Sequence, residues 1–317
     1  MYRFNYVKPL EQIKRFKAHG KFLITGEYAV LDNVPALAVP LKLDQRLIIT
    51  TTNSGIITWR SFNSDQEVWI DIKTTYEELI VKRAVNLTDP IAKRLSMVLL
   101  AAADLNPNFQ FPRSFDAITE LDFNQYYGMG TSSTLVSLVA QWVSCDPFKL
   151  QFKCFGGSGY DVACARISHP IIYIYNNGQP LIKQRFFDPI FEEELFFVYL
   201  NQKQNSRESI AKFDRTKLTE EVRKELAAMP DEFIRAGMNR DNFEKLIARH
   251  EMIIGDLIGL EPVKNRLFPD YKGAVKSLGG WGGDFVMATG TVQDQFYFRN
   301  KGYATIYNWK DIVITGD

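Results

Sequence analysis

Long apolar runs are missing from this chain, and so is a surplus of charge of either sign. No uncharged apolar stretch approaches the ~18 residues expected of a membrane span, which excludes a spanning helix. Thirty-eight basic residues stand against 37 acidic ones, a net charge of +1. That balance excludes a general electrostatic attraction to nucleic acid or to a membrane surface, so an anionic ligand must be met by a local site. Cysteine is scarce: Cys145, Cys154 and Cys164 form no disulfide framework and lack the spacing of a zinc site. The segment MYRFNYVKPLEQIKRF mixes polar and aromatic residues, unlike a signal peptide. The expectation is a soluble, reduced, cytoplasmic protein with neither nucleic acid nor membrane as partner. There is no internal repeat and no low-complexity linker.

What is present is a globular composition, 46% apolar and 24% charged over 317 residues, long enough for two domains. The segments KFLITG, RLIITTT, GIITWRSF, EVWIDI and SFDAITELDF are rich in β-branched or aromatic residues and read as strands. Asp89-Pro90 opens a helix, with Asp as cap and Pro in the first turn. Ile91, Leu95, Val98, Leu99 and Ala102 then recur at helical spacing. An apolar helix is expected from about Ser132 to Val143, and a hairpin around Asn176, Asn177 and Gly178. After the buried strand ELFFVYL come two strong helical patterns. TEEVRKELAAM ends at Met229, and DNFEKLIARHEMIIGDLIG has Asp241 and Glu244 at capping-box spacing. The short strands AVKSLG and DFVMATG flank a glycine cluster, and ATIYNW follows. The composition shifts near residue 186, which gives expected domains of 1–185 and 186–317.

Four segments carry candidate chemistry. In YYGMGTSSTL, two glycines and four hydroxyl residues precede an apolar helix. A helix N-terminus leaves its first N–H groups unpaired and carries a partial positive charge, so it receives anions. The same segment reads equally well as a plain Ser/Thr cap. Walker A is excluded, because Arg15 stands where its first glycine should be and Phe22 follows Lys21; Ser133 likewise breaks the Rossmann pattern. In AHGKFLITGEYAVL, Lys21 starts a strand and Glu27 follows Gly26. In FGGSGYDVACARI, Asp161 leaves a glycine loop and suits a general base or a turn cap. In SLGGWGGDFVMA, four glycines surround Trp281, in the manner of a close ligand approach or a tight hairpin. His250 falls on the apolar stripe of the second strong helix and His169 precedes Pro170; neither points to catalysis. QKQNSRESI, residues 202 to 210, reads as a polar loop, with a lid over a cleft as the alternative.

Taken in order, these four motifs resemble the GHMP kinases, the superfamily of galactokinase, homoserine kinase, mevalonate kinase and phosphomevalonate kinase. The resemblance covers about residues 17 to 288. It implies an α+β fold in two parts: an N-terminal domain like ribosomal protein S5 domain 2, and a ferredoxin-like C-terminal domain. It implies ATP as phosphoryl donor and Mg2+ as cofactor. Gly128, Met129, Gly130, Thr131, Ser132 and Ser133 fall on the family's phosphate loop, with Ser132 on its magnesium-binding serine. Asp161 falls on the catalytic aspartate and Lys21 on the lysine that pairs with it. Gly280, Trp281 and Gly282 fall in the glycine loop that closes on nucleotide and acceptor. Glu27, Tyr28, Ser158 and Gly159 fall beside the acceptor.

GEYAVLDNVPALAVPLKL and GSGYDVACA look like the mevalonate-pathway branch. Tyr28, where mevalonate kinases usually carry His, leans toward phosphomevalonate kinases. A small anionic metabolite, mevalonate or its phosphate, is then the acceptor, bound by a nearby Lys or Arg, and the protein is a monomer or homodimer. Two features depart from the family. His19 replaces a usual Pro. Only 29 positions separate Ser132 from Asp161, so CDPFKLQFKCF leaves no counterpart for the family's magnesium-ligating glutamate. Two alternatives use the same scaffold: a non-catalytic nucleotide- or metabolite-binding homologue, and a diphosphomevalonate decarboxylase.

Overall fold

The computed structural model describes residues 12–83, 88–176, 178–203 and 210–316. Most of the polar loop read at 202–210, and Asn177 of the expected hairpin turn, lie outside the described residues.

Two sheets organise the chain. The first has seven strands: β1 (Ile13–Leu23), β2 (Ala36–Thr51), β3 (Ile57–Phe62), β4 (Val68–Thr74), β5 (Phe115–Leu121), β6 (Ile171–Asn176) and β7 (Gln179–Gln184). The long strand β2 is its spine. β1 runs antiparallel along one edge of β2, while β5 and β6 share the other edge at opposite ends. β3 lies parallel to β5, which makes the sheet mixed. The second sheet is antiparallel, in the order β11 (Ile306–Asn308), β8 (Leu195–Tyr199), β10 (Phe285–Thr289), β9 (Val275–Ser277). This is the α+β architecture expected from the sequence. The break between the sheets falls between Gln184 and Leu195.

Helices α1 (Pro90–Leu105), α2 (Thr131–Val143) and α3 (Pro147–Cys154) cover one face of the first sheet. Leu95, Val98, Val136, Val139 and Leu150 bury there against Leu47, Ile49, Trp59 and Phe115. A short helix, α4 (Tyr160–Cys164), follows. Two long helices, α5 (Glu220–Ala236) and α6 (Arg240–Ile258), pack against both sheets. One continuous apolar core joins Phe22, Leu37 and Leu41 of the first sheet to Phe197, Phe285 and Met287 of the second and to Phe233 and Phe243 of the helices. The Phe22 and Phe197 rings lie 4.6 Å apart. Among the described residues no helix is long and apolar enough to cross a membrane.

Two helix boundaries differ from the sequence reading. α5 does not stop at Met229 but continues through the buried Pro230 to Ala236. A proline costs the helix one hydrogen bond, and burial of Phe233 and Ala236 beyond it offsets that cost. α6 is capped by Asn239, whose side chain accepts from the Asn242 N–H, so it begins before Asp241. Glu244 is not its capping partner; its carboxylate accepts from Arg240 Nε at 2.9 Å and from Thr289 Oγ1 at 2.6 Å.

Candidate active site

β1 carries Lys21 to the centre of the molecule, and a bulge aims it. The β1–β2 register shifts between His19 and Lys21, and such a shift redirects the side chains beyond it. His19 is fixed in this bulge. Its Nδ1 lies 2.7 Å from Asp44 Oδ1 and its Nε2 lies 3.0 Å from Ser168 Oγ. The residue that replaces the expected proline is thus an anchor for the strand.

The Lys21 ammonium is nearly buried and donates to the Gly128 carbonyl and to Tyr160 Oη, both at 3.1 Å. Burial alone would lower its pKa. Contact with the Tyr160 hydroxyl and the charge of Asp161, and more weakly that of Asp284, outweigh burial and hold it above the usual lysine range. Lys21 is therefore a fixed cation. The resemblance implies a pairing with Asp161, but the ammonium is bonded to the preceding residue, Tyr160. Asp161 sits in the first turn of α4, after Gly159 in a left-handed conformation.

The 128–133 segment turns through Gly128 and Gly130, both at positive φ, into α2. Gly130 occupies the cap position and no side chain caps the helix. The four hydroxyls are not equivalent. Thr131 donates to the Gln125 carbonyl, Ser133 to the Gly130 carbonyl, and Thr134 to Gln45. Ser132 is exposed, and its hydroxyl makes no hydrogen bond to the protein among the described residues. A Cβ on Gly128 would stand 2.5 Å from Asp284 Oδ2, so the glycine admits a carboxylate from the 278–284 loop right against this turn.

Lys21, Tyr28, the 128–133 turn, Ser158 to Asp161, Gly280 and Asp284 all face one cavity of about 770 Å3. That volume suits a small ligand or cofactor. Arg94 and Lys203 add two further cations to its wall. Among the described residues no group of three or more His, Cys, Asp or Glu side chains could hold a metal by itself.

The fold has solved counterparts. A mevalonate kinase crystal structure superposes with a TM-score of 0.72 at 15% identity, covering 96% of this chain and 100% of that one. The Methanococcus jannaschii mevalonate kinase gives 0.70 at 16% identity, with 98% and 100% covered. The Streptococcus pneumoniae phosphomevalonate kinase, in complex with phosphomevalonate and AMPPNP, gives 0.67 at 17% identity, with 96% and 98% covered. The chain has the GHMP kinase fold. No family model matches its sequence, and no curated protein does. At these identities the likeness establishes the fold, and activity has to be argued from the site.

On the GHMP fold, most residues picked out from the sequence line the cavity, but Met129, Trp281 and Gly282 do not. The Trp281 side chain is buried in the shared core rather than set against a nucleotide; its backbone N–H donates to Tyr28 Oη at 3.0 Å. The Met129 side chain is likewise core, and only its backbone serves the turn, accepting the Lys21 N–H at 3.0 Å. Glu27 reaches the cavity wall but is only 1% exposed, with its carboxylate 2.8 Å from Lys276 Nζ and 3.0 Å from His250 Nε2. A carboxylate so engaged is a structural ion pair, not an open acceptor contact. The Ser158 carbonyl accepts the Tyr173 hydroxyl.

Sequence reasoning missed Tyr160, Asp284 and Arg94. Tyr160 lies inside the GSGYD motif, but nothing in its spacing says that it takes the lysine. Asp284 ends the glycine run, and only its positive φ of 52° and its contact with Gly128 mark it. Arg94 reads as the outer face of an ordinary helix.

Proposed function

We propose that this protein is an ATP-dependent small-molecule kinase of the GHMP type, acting on an anionic acceptor of the mevalonate pathway, mevalonate or its phosphate. The observation that carries the reading is the convergence on one cavity of an uncapped helix N-terminus, a fixed lysine, an aspartate and an unbonded serine hydroxyl. Phosphoryl transfer needs positioning and charge neutralisation above all. The N–H groups at the start of α2 receive the ATP phosphates. Glycines at 128 and 130 keep Cβ atoms out of their way. Asp161 takes the proton of the acceptor hydroxyl as its oxygen attacks the terminal phosphorus and ADP departs. Lys21 stays charged in the cavity that Asp161 also lines. Arg94 and Lys203 are the cations available to anionic groups at the cavity wall.

The donor set fits a magnesium ion bound mainly through the nucleotide, since Mg2+ commonly uses few protein ligands together with substrate phosphates and water. Ser132 would hold it, and the ion would neutralise phosphate charge. α3 contains no carboxylate, and its capping Asp146 is already bonded to the Phe148 and Lys149 N–H groups. The metal-ligating glutamate expected of the family is absent from this segment.

The reading is tested by phosphorus NMR of the protein with ATP, Mg2+ and either mevalonate or phosphomevalonate. Equal amounts of ADP and a new phosphorylated acceptor support it. Nucleotide binding without any product would favour the non-catalytic reading, and carbon dioxide release from the diphosphate would favour the decarboxylase.

A further inference from the structure

Behind the cavity lies a set of buried ionisable groups that phosphoryl transfer does not use. Glu27, from the turn after β1, meets Lys276 of β9 and His250 of α6, with Glu251 of α6 beside them. All four side chains are 2% exposed or less. Two of them, Glu251 and Lys276, bond Ser277, the last residue of the edge strand β9 and the root of the glycine loop. Glu251 accepts the Ser277 N–H at 2.9 Å, and its other oxygen lies 3.1 Å from Ser277 Oγ. Lys276 Nζ donates to Glu27 at 2.8 Å and to the Ser277 carbonyl at 2.9 Å. The backbone of Ser277 is thus held on its N–H side by one member and on its C=O side by another. Farther along the loop, the Trp281 N–H is held by Tyr28, the neighbour of Glu27.

We propose that Glu27, His250, Glu251 and Lys276 form a positioning network that sets the glycine loop through one exchangeable proton, carried by Glu251. The charge count requires such a proton. With Lys276 charged, Glu27 ionised and His250 neutral, the set is neutral only if Glu251 is protonated. Loss of that proton leaves an uncompensated buried negative charge, which an apolar interior resists. Burial raises the Glu251 carboxyl to about 7, with Lys276 acting against it and Glu27 with it. Burial and Lys276 lower the imidazole of His250, against the opposing pull of Glu27, and so keep it neutral. A second cavity, of about 500 Å3, has Glu251 in its wall and gives the proton a route to water. The charged groups on that side are Lys245, Lys264 and Lys272, with Asp241 and Glu244. Once Glu251 ionises, Lys276 is drawn from Glu27 toward it and releases the Ser277 carbonyl, and the loop root shifts.

The consequence for nucleotide rests on the kinase reading, but the coupling itself does not. Fluorine NMR of 5-fluorotryptophan protein tests it, with the Trp281 resonance assigned through Trp281→Phe and the distant, buried Trp59 and Trp142 as references. The Trp281 resonance should titrate near neutral pH while the references stay still, and Glu251→Gln should abolish the titration. Ser277→Ala, which removes only a hydroxyl, should reduce its amplitude and serves if the glutamine variant does not fold. Affinity for a non-hydrolysable ATP analogue should change several-fold over the same range in the wild type alone. A Trp281 resonance that is flat between about pH 5 and 8, or that titrates unchanged in Glu251→Gln, overturns the network. Titration without nucleotide binding keeps the network and removes the kinase reading.

Discussion

At the scale of single residues, side chains of similar kind have separate tasks. Ser132 is the hydroxyl available to a ligand, whereas Thr131 is engaged with the Gln125 carbonyl. Ser132→Ala should therefore raise the Mg2+ concentration needed for half-maximal turnover, while Thr131→Val should leave it nearly unchanged; a magnesium titration of each variant checks this. Gly128 is required twice, by its φ of 69° and by the carboxylate of Asp284. An L-residue in that conformation costs roughly 1–2 kcal/mol before any clash. Gly128→Ala should thus weaken binding of an ATP analogue by about tenfold or more, measured by calorimetry. Much at this scale was legible in the sequence. Lys21, Ser132 and Asp161 all line the cavity, and it was the ordered resemblance of their motifs to the GHMP kinases that named them, since each motif alone fitted a structural reading as well. What could not be read is which neighbour each one touches. Lys21 bonds Tyr160 rather than the adjacent Asp161, a choice made by side-chain direction at the start of α4, and Glu27 pairs with Lys276 from a segment far along the chain.

At the scale of elements, α6 and β9 matter most, since they bring buried charges to the root of the glycine loop. Between the ordinary carboxylate range and about 7, the folded chain binds more protons at Glu251 than the unfolded chain does. This contribution to stability is full at low pH and is lost as pH rises through 7. His250 acts oppositely: its depressed pKa favours the folded state above the usual imidazole range, and that contribution is lost as pH falls. Glu251→Gln should remove the first slope and keep the second. Relative to wild type it should gain on the order of 3 kcal/mol between acidic and alkaline pH, measured by urea unfolding at both. The cap of α6 offers a simpler test: Asn239→Ala should cost about 1 kcal/mol by the same method. Element types were legible wherever the hydrophobic period was strong, as in α1, α2 and α6. The end of α5 was not, because burial of Phe233 decides it and a local proline signal points the other way.

At the scale of the whole molecule, two sheets share one core. Phe22 packs against Phe197 and Phe285, and the chain returns at its far end to pair Val313 with Leu41 of β2. We therefore expect a single cooperative unfolding transition by calorimetry, despite the change in composition near residue 186; two resolved transitions would count against a shared core. This joint could not be read from either half, because it depends on which faces meet. The joint also forms the cavity, which draws Lys21 and the 128–133 turn from one side and Asp284 from the other. The central claim is that this cavity transfers a phosphoryl group with Asp161 as base. Its most direct test is acceptor-dependent ATP consumption, comparing wild type with Asp161→Ala while analogue affinity is monitored. The account predicts consumption that requires mevalonate or its phosphate and falls by about 10²- to 10⁴-fold in the variant, with analogue affinity retained. Equal consumption by the two proteins, or none by the wild type with either acceptor, would contradict it.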